Sequence, residues 1–172
     1  MATLRRVTAP EQGLRPALRA LLADSVDNGA SVGFRTPLDA QSADRFWDRV
    51  MAGLGDDRVL WVAEEAGQVV GSVQLELCWK ENGSHRAELQ KLLVRTSHRG
   101  RGIARKLLEE AERFARGEGR TLLVLDTEEG SVAESIYARL GWIRVGRIPG
   151  YAGKPDGTLI ATVYYYKQLE AS

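Results

Sequence analysis

The chain has 172 residues, with 24 Lys plus Arg against 23 Asp plus Glu and a formal charge of +1. That length suits a single domain over residues 1–172, able to bury about 70% of its unfolded surface without metal or disulfide staples. Balanced charge argues against a nucleic-acid binder, the lone cysteine Cys78 excludes an intrachain disulfide, and a histidine count of two, His85 and His98, argues against a histidine-rich metal centre.

Leu4 to Thr8 reads as a short strand. A helix follows from about Pro16 to Asp27, with Leu18, Leu21, Leu22 and Val26 at helical spacing, and Asn28-Gly29 stops it. A second helix runs from about Leu38 to Leu54 on Phe46, Trp47, Val50, Met51 and Leu54. Val59 to Glu64 and Val69 to Trp79 are β-rich runs joined by the hairpin signature Ala66-Gly67-Gln68. Glu81-Asn82-Gly83 marks a turn, and Arg86 to Val94 forms a fourth strand. Ile103, Leu107, Ala111, Phe114 and Ala115 make one face of a third helix, ended by Gly117 to Gly119. Thr121 to Asp126 is a short apolar strand of the kind buried on both faces. A brief helix from Ser131 to Leu140 and strands around Trp142 to Ile148 and Thr158 to Gln168 close the chain. The order β-α-α-β-β-β-α-β-α-β-β predicts an α/β fold, a mixed sheet with helices on both faces.

No apolar run approaches a membrane span, and the opening MATLRRVTAPEQ lacks the apolar core of a signal peptide. The expected setting is the cytoplasm, with no membrane and no nucleic-acid partner. Cys78, in a strand, is expected to be a small buried hydrophobe, and His98 to be solvated. Trp47, Trp61 and Trp142 are expected in the core.

One segment carries a specific pattern. Leu92-Leu93-Val94-Arg95-Thr96-Ser97-His98-Arg99-Gly100-Arg101-Gly102-Ile103-Ala104 joins the fourth strand to the third helix. Glycines there let the backbone approach a ligand, and the helix start presents unpaired amides suited to phosphate. Arg95, Arg99, Arg101, Arg105 and Lys106 crowd the same end, opposing the helix dipole at about 0.3–1 kcal/mol each when exposed. A polyanion reverses the sign of that cost. A Walker loop is excluded by Arg105-Lys106-Leu107 after Gly100, and a dinucleotide fingerprint by Arg105 in place of its third glycine. The competing reading is a tight strand–helix connection with a solvated basic face, because glycine spacing by itself is a weak signal.

The spacing Arg99-x-x-Gly102-x-Ala104 after Lys91-Leu92-Leu93-Val94 resembles the Q/R-x-x-G-x-G/A coenzyme A loop of the GNAT family of N-acetyltransferases. Ala133-x-x-x-Tyr137-x-x-x-Gly141-Trp142 resembles a second signature of that family. Gly130 stands where many members carry asparagine, leaving Ser131 as a replacement contact to the cofactor arm. Gly29 to Phe34, Arg86 to Leu92, Leu125 to Glu134 and Ile148 to Tyr151 are similar to the family's tabtoxin-resistance branch, which acetylates the amino group of a β-lactam amino acid. The resemblance implies the GNAT acyl-CoA N-acyltransferase fold, acetyl-CoA as co-substrate and no metal. It also implies a cofactor site of Leu92, Leu93, Val94, Arg99, Gly100, Arg101, Gly102, Ile103, Ala104, Ser131 and Tyr137.

Acetyl transfer from a thioester to an amine needs a neutral amine, a held carbonyl and a protonated thiolate. A lysine-like amine of pKa ~10.4 is neutral about 4 times in 10,000 at pH 7, a deficit of roughly 4.6 kcal/mol; an α-amine near ~8 lacks about 1.4 kcal/mol. A general base supplies the difference. Glu88 and Asp126, on strands that splay apart in the family, are the candidates. The competing readings are a surface carboxylate paired with Arg86 or Lys91 for Glu88, and a loop cap for Asp126. Glu134, three residues after Ser131, is explained by a capping box. Tyr137 is the implied acid for the thiolate, against a plain packing role, and a backbone amide near Leu92 to Val94 the implied carbonyl donor. Phe34 and Arg35 with Glu88 and Asp126 are the candidate substrate contacts, and Arg35 or Lys154 the candidate partner for a substrate carboxylate.

The expected activity is transfer of acetyl to a small amino-acid-like amine, a toxin or antibiotic included, by a monomer or homodimer. Two alternatives stay open: acetylation of protein amines, and a non-catalytic acyl-CoA-binding regulatory domain.

Overall fold

The computed structural model describes residues 1–170. In chain order the elements are β1 (Thr3–Val7), α1 (Leu14–Asp27), α2 (Ala40–Ala52), β2 (Arg58–Glu65), β3 (Gln68–Leu77), β4 (Arg86–Val94), α3 (Ile103–Gly117), β5 (Leu122–Glu128), α4 (Val132–Arg139), β6 (Ile143–Gly153) and β7 (Leu159–Gln168). This is the predicted order, with β6 running five residues beyond its expected end at Ile148.

The seven strands form one mixed sheet in the order β1-β2-β3-β4-β5-β7-β6, in which only β4 and β5 are parallel neighbours. Two apolar layers sandwich it. On one face α1 and α2 bury Leu18, Leu21, Leu22, Trp47 and Val50 against Leu60 and Val62. On the other, α3 and α4 bury Leu107, Leu108, Ala111 and Tyr137 against Val73, Leu75, Leu123 and Leu125. Each of the leucines and valines contributes about 1.5–3 kcal/mol when removed from water. Trp47, Trp61 and Trp142 are all in the core, as expected. Close approach of α3 explains Gly71 on β3: an added Cβ would stand 3.0 Å from Ile103 Cγ2 and 3.1 Å from Leu107 Cδ1.

Three expectations are corrected. β5 buries Leu123 and Leu125 but leaves Leu122 and Val124 partly exposed, because α1 and α2 pack over β3 and β4 and stop short of β5. Cys78 is only partly buried, since it lies at the end of the sheet where β3 leaves for its turn. His98 is not free in solvent: its ring meets Glu65 at 3.2 Å and Ser97 at 2.8 Å.

Two irregularities open the sheet. β4 and β5 pair only at Arg86–Leu122, Ala87–Leu123 and Glu88–Val124. Beyond Glu88 the strands part. β4 also bulges against β3, where the register shifts between Ser72 and Gln74 and Lys91 takes a left-handed backbone with φ 49. Bulges bend a strand and re-aim its side chains. The β4 edge that faces β5 beyond Glu88 therefore has backbone groups without a strand partner.

Candidate active site

The parted strands enclose a cleft of about 670 Å³. Its lining draws on both faces of the sheet: Glu88 to Val94 from β4, Asp126 to Glu128 from β5, Tyr137 from α4, and Tyr151 and Thr162 from the β6–β7 hairpin. Residues 28–33, after α1, form a roof. That roof leans on the hairpin, with the Ser31 hydroxyl facing the Gly153 carbonyl at 3.5 Å and the Thr36 amide donating to the Pro155 carbonyl at 3.0 Å.

At one end the loop from Arg95 to Gly102 leads into α3. Gly100 (φ 74) and Gly102 (φ 76) are left-handed, a conformation that L side chains adopt only at a cost. Gly102 caps α3 without a side chain, so the first amides of the helix have no internal acceptor. Neighbours hold the loop in place. Asp24 accepts from the Thr96 amide at 2.8 Å and its hydroxyl at 2.9 Å, and Glu65 gathers His98 and Arg101. Arg101 is turned away, donating to the Ser97 carbonyl, and Arg105 pairs with Glu109 on its own helix. Arg99 is the loop arginine that lines the cleft. Ile103 is buried in the core, so it offers a ligand only its backbone, and Ala104 is half-buried. These uncapped amides, the glycines and the open edge of β4 fit an extended, phosphate-bearing acyl carrier.

The chemistry-bearing side chains meet at the split. Glu88 accepts from Gln90 Nε2 at 3.1 Å, and the same amide donates to Glu76 at 2.9 Å, which pairs with Arg58 at 3.2 Å. Neither Arg86 nor Lys91 forms an ion pair with Glu88 among the described residues; the partner is Gln90. Asp126 accepts from the buried Thr162 hydroxyl at 2.9 Å. Tyr137 is buried, stacked edge-on to Trp142 at 5.7 Å, and its hydroxyl makes no protein hydrogen bond among the described residues. Burial, reinforced by the charge of Asp126, pushes its pKa above the ordinary tyrosine value. The phenol therefore keeps its proton at any working pH.

Ser131 lines the cleft, but its oxygen accepts from the Glu134 amide at 3.1 Å and caps α4. Glu134 reaches back to the Gly130 amide at 2.6 Å and accepts from the Tyr165 hydroxyl at 2.9 Å, consistent with a capping role. Phe34 and Arg35 do not line the cleft. Left-handed Gly33 (φ 90) turns the chain, so Phe34 packs on Phe46 at 5.6 Å and Arg35 points to solvent. Lys154 is taken by Glu128 at 3.0 Å. Sequence reasoning missed Lys91, Gln90 and the Tyr151–Tyr164 hydroxyl pair, 2.9 Å apart, which lies by the acidic groups. Their only sequence signal is alternation, which says which face a residue takes but not what faces it.

The family model "Acetyltransferase (GNAT) family" matches residues 23–142. N-acetyltransferase 8B of Rattus norvegicus is 41% identical over 90 residues, and N-acetyltransferase family 8 member 2 of the same species 44% over 89. The first match takes in 51% of this chain and 40% of the relative, so the chain spans about two-fifths of that protein. Ribosomal-protein-alanine N-acetyltransferase from Brucella melitensis superposes with a TM-score of 0.78 at 25% identity, covering 97% of this chain and 99% of that one. An acetyltransferase structure from Salmonella typhimurium with its cofactor acetyl-CoA shares the fold, with a TM-score of 0.78 at 20% identity, over 100% of this chain and 96% of that one. The matched stretch runs from α1 through the glycine loop to Trp142, and with it this chain belongs to the GNAT acetyltransferase family, whose co-substrate is acetyl-CoA.

Proposed function

We propose that the protein transfers the acetyl group of acetyl-CoA directly to the amino group of a small, amino-acid-like substrate. One observation carries this reading: Glu88 and Asp126, neither with an ion-pair partner among the described residues, and the buried phenol of Tyr137 line one cleft that begins where β4 leaves β5.

The roles follow from position. Amides of Gly100 to Ala104 hold the phosphates, and the free edge of β4 near Leu92 to Val94 offers an N–H to the thioester carbonyl oxygen. Asp126, which lines the cleft with Tyr137 and is held by the Thr162 hydroxyl, is assigned as the base, directly or through water. Glu88, fixed by Gln90, attracts the cationic amine. The amine nitrogen attacks the carbonyl carbon and passes its proton to the base. The C–S bond breaks, and Tyr137 donates to the departing sulfur. A thiolate has a pKa near ~8.5, well below that of this phenol, so Tyr137 acts mainly as a hydrogen-bond donor whose contribution is modest.

The cleft's volume of about 670 Å³, with residues 28–33 in its lining, supports a small substrate over a protein tail. The similarity to a ribosomal-protein-alanine acetyltransferase favours the rival, a protein α-amine. The flanking resemblance to tabtoxin-resistance members supports a β-lactam amino acid as the specific substrate. The test is thiol release from acetyl-CoA with a panel of amino acids, tabtoxinine-β-lactam, and peptides bearing N-terminal alanine or lysine. Turnover of peptides alone would overturn the small-substrate reading. Tight acetyl-CoA binding with no turnover on any amine would leave the regulatory-domain alternative.

A further inference from the structure

Lys91 is placed in a way that folding alone does not explain. It occupies the β4 bulge with φ 49, a backbone conformation L side chains rarely adopt. Its side chain is half-buried and lines the cleft. The ammonium stands 5.2 Å from the centre of the Phe46 ring and 3.9 Å from the position a Cβ on Gly33 would take. It is thus walled by an aromatic face and by the roof.

An ammonium carries three donors, and none of these has a protein acceptor among the described residues. The nearby anions are engaged elsewhere: Glu88 with Gln90, Asp126 with Thr162, and Glu76 with Arg58 and Gln90. Of the other cations near the cleft, Lys154 is paired with Glu128, Arg144 and Arg147 with Glu129, and Arg99, at the loop end, donates to the Val94 carbonyl. Burial draws the Lys91 pKa below the ordinary lysine value, Arg58 adds to that, and the charges of Asp126 and Glu88 oppose it. A partly desolvated cation without a partner is unfavourable unless a ligand supplies the anion.

We propose that Lys91 binds the carboxylate of an amino-acid substrate and so directs its amino group toward Asp126 and Glu88. This rests on the small-amine reading above and gives it a substrate class. An α-amino acid or close analogue carries both charges on neighbouring carbons, which suits a cation flanked by two carboxylates. The small roof residues Gly29, Ala30 and Gly33 leave room for it.

The experiment compares amino acids with their amides and decarboxylated amines as acetyl acceptors, for wild type, Lys91→Met and Lys91→Arg. Wild type is expected to favour the acid over the matched amide in kcat/KM. In Lys91→Met that acid-to-amide ratio should fall by about ten- to hundredfold, the loss of one charged hydrogen bond, and the change should appear in KM. Lys91→Arg should keep part of the preference. Far-ultraviolet circular dichroism and acetyl-CoA affinity check that the variants fold. If wild type acetylates small amines with no preference for a carboxylate, or if Lys91→Met lowers acid and amide equally, the Lys91 assignment is wrong while the small-amine reading survives. Peptide-only turnover removes both.

Discussion

The two ends of the cleft are built by different means. The loop from Arg95 to Ala104 is one contiguous segment whose distinguishing features lie in the backbone: left-handed Gly100 and Gly102 and a helix start with no side-chain cap. The opposite wall is assembled from side chains on separate strands, with Glu88 and Lys91 from β4, Asp126 from β5 and Thr162 from β7. Backbone recognition suits a ligand common to a whole family, because any sequence with the right glycines can reproduce it. A wall of side chains can change its ligand one residue at a time.

The sharpest way to break the first end is Gly102→Asp. Nothing lies within 4 Å of a Cβ built there, so the variant should fold, although φ 76 strains it. Its carboxylate would sit against the α3 amides and repel phosphate. Calorimetry should show acetyl-CoA affinity lost by about a hundredfold or more, two charge-assisted contacts in free-energy terms. Wild-type affinity in a folded variant would remove the loop from the site.

Between the two ends stands Tyr137. Tyr137→Phe removes one hydroxyl that has no protein partner, so stability and cofactor affinity should stay within a few-fold. Turnover under chemistry-limited conditions should fall by about three- to tenfold, the loss of one hydrogen bond to the departing sulfur. Unchanged turnover would make Tyr137 a packing residue against Trp142.

What the sequence disclosed follows the same division. The glycine loop and Ala133-x-x-x-Tyr137-x-x-x-Gly141-Trp142 are local patterns, so residues and spacing are legible without coordinates. Arg86–Val94 was predicted to its observed bounds because it lies between the Glu81-Asn82-Gly83 turn and the arginine- and glycine-rich loop. The wall was half legible. Glu88 and Asp126 stood out as carboxylates on splayed strands, but their partners Gln90 and Thr162 depend on register, which no single strand contains. Phe34 and Arg35 were misplaced because one left-handed glycine, Gly33, reverses which way the next side chain points. Lys91 was read only as a partner for Glu88, since a bulge in β4 leaves no mark in the sequence of β4.

The wall is sharpened by comparing Asp126→Ala with Glu88→Ala. The base matters most where the amine is mostly protonated, so the loss in kcat/KM should grow as pH falls from about 9 to 7. Asp126→Ala should cost about a hundredfold near neutrality, and Glu88→Ala about tenfold with most of the change in KM. Profiles parallel to wild type for both variants would exclude each carboxylate as the base.

The smallest expected effect is on stability, and it separates the two ends again. Because the folded protein lowers the Lys91 pKa below the ordinary lysine value of 10.5, the native state binds fewer protons than the unfolded chain between the folded pKa and that value. At neutral pH both states carry the charge and the burial penalty is present in full; as pH rises toward 10.5 the penalty fades. Lys91→Met removes the charge and keeps an unbranched stem against Phe46, where a thioether packs well on an aromatic ring. Its Tm should therefore exceed that of wild type at pH 7 by on the order of a few degrees, and the difference should shrink toward pH 10. Such a gain, together with loss of the acid preference, is the pattern expected of a residue kept for binding at a cost to stability. A Tm that drops by the same amount at every pH would instead make the ammonium a structural tie to Phe46, and the wall would then hold no free cation for a ligand.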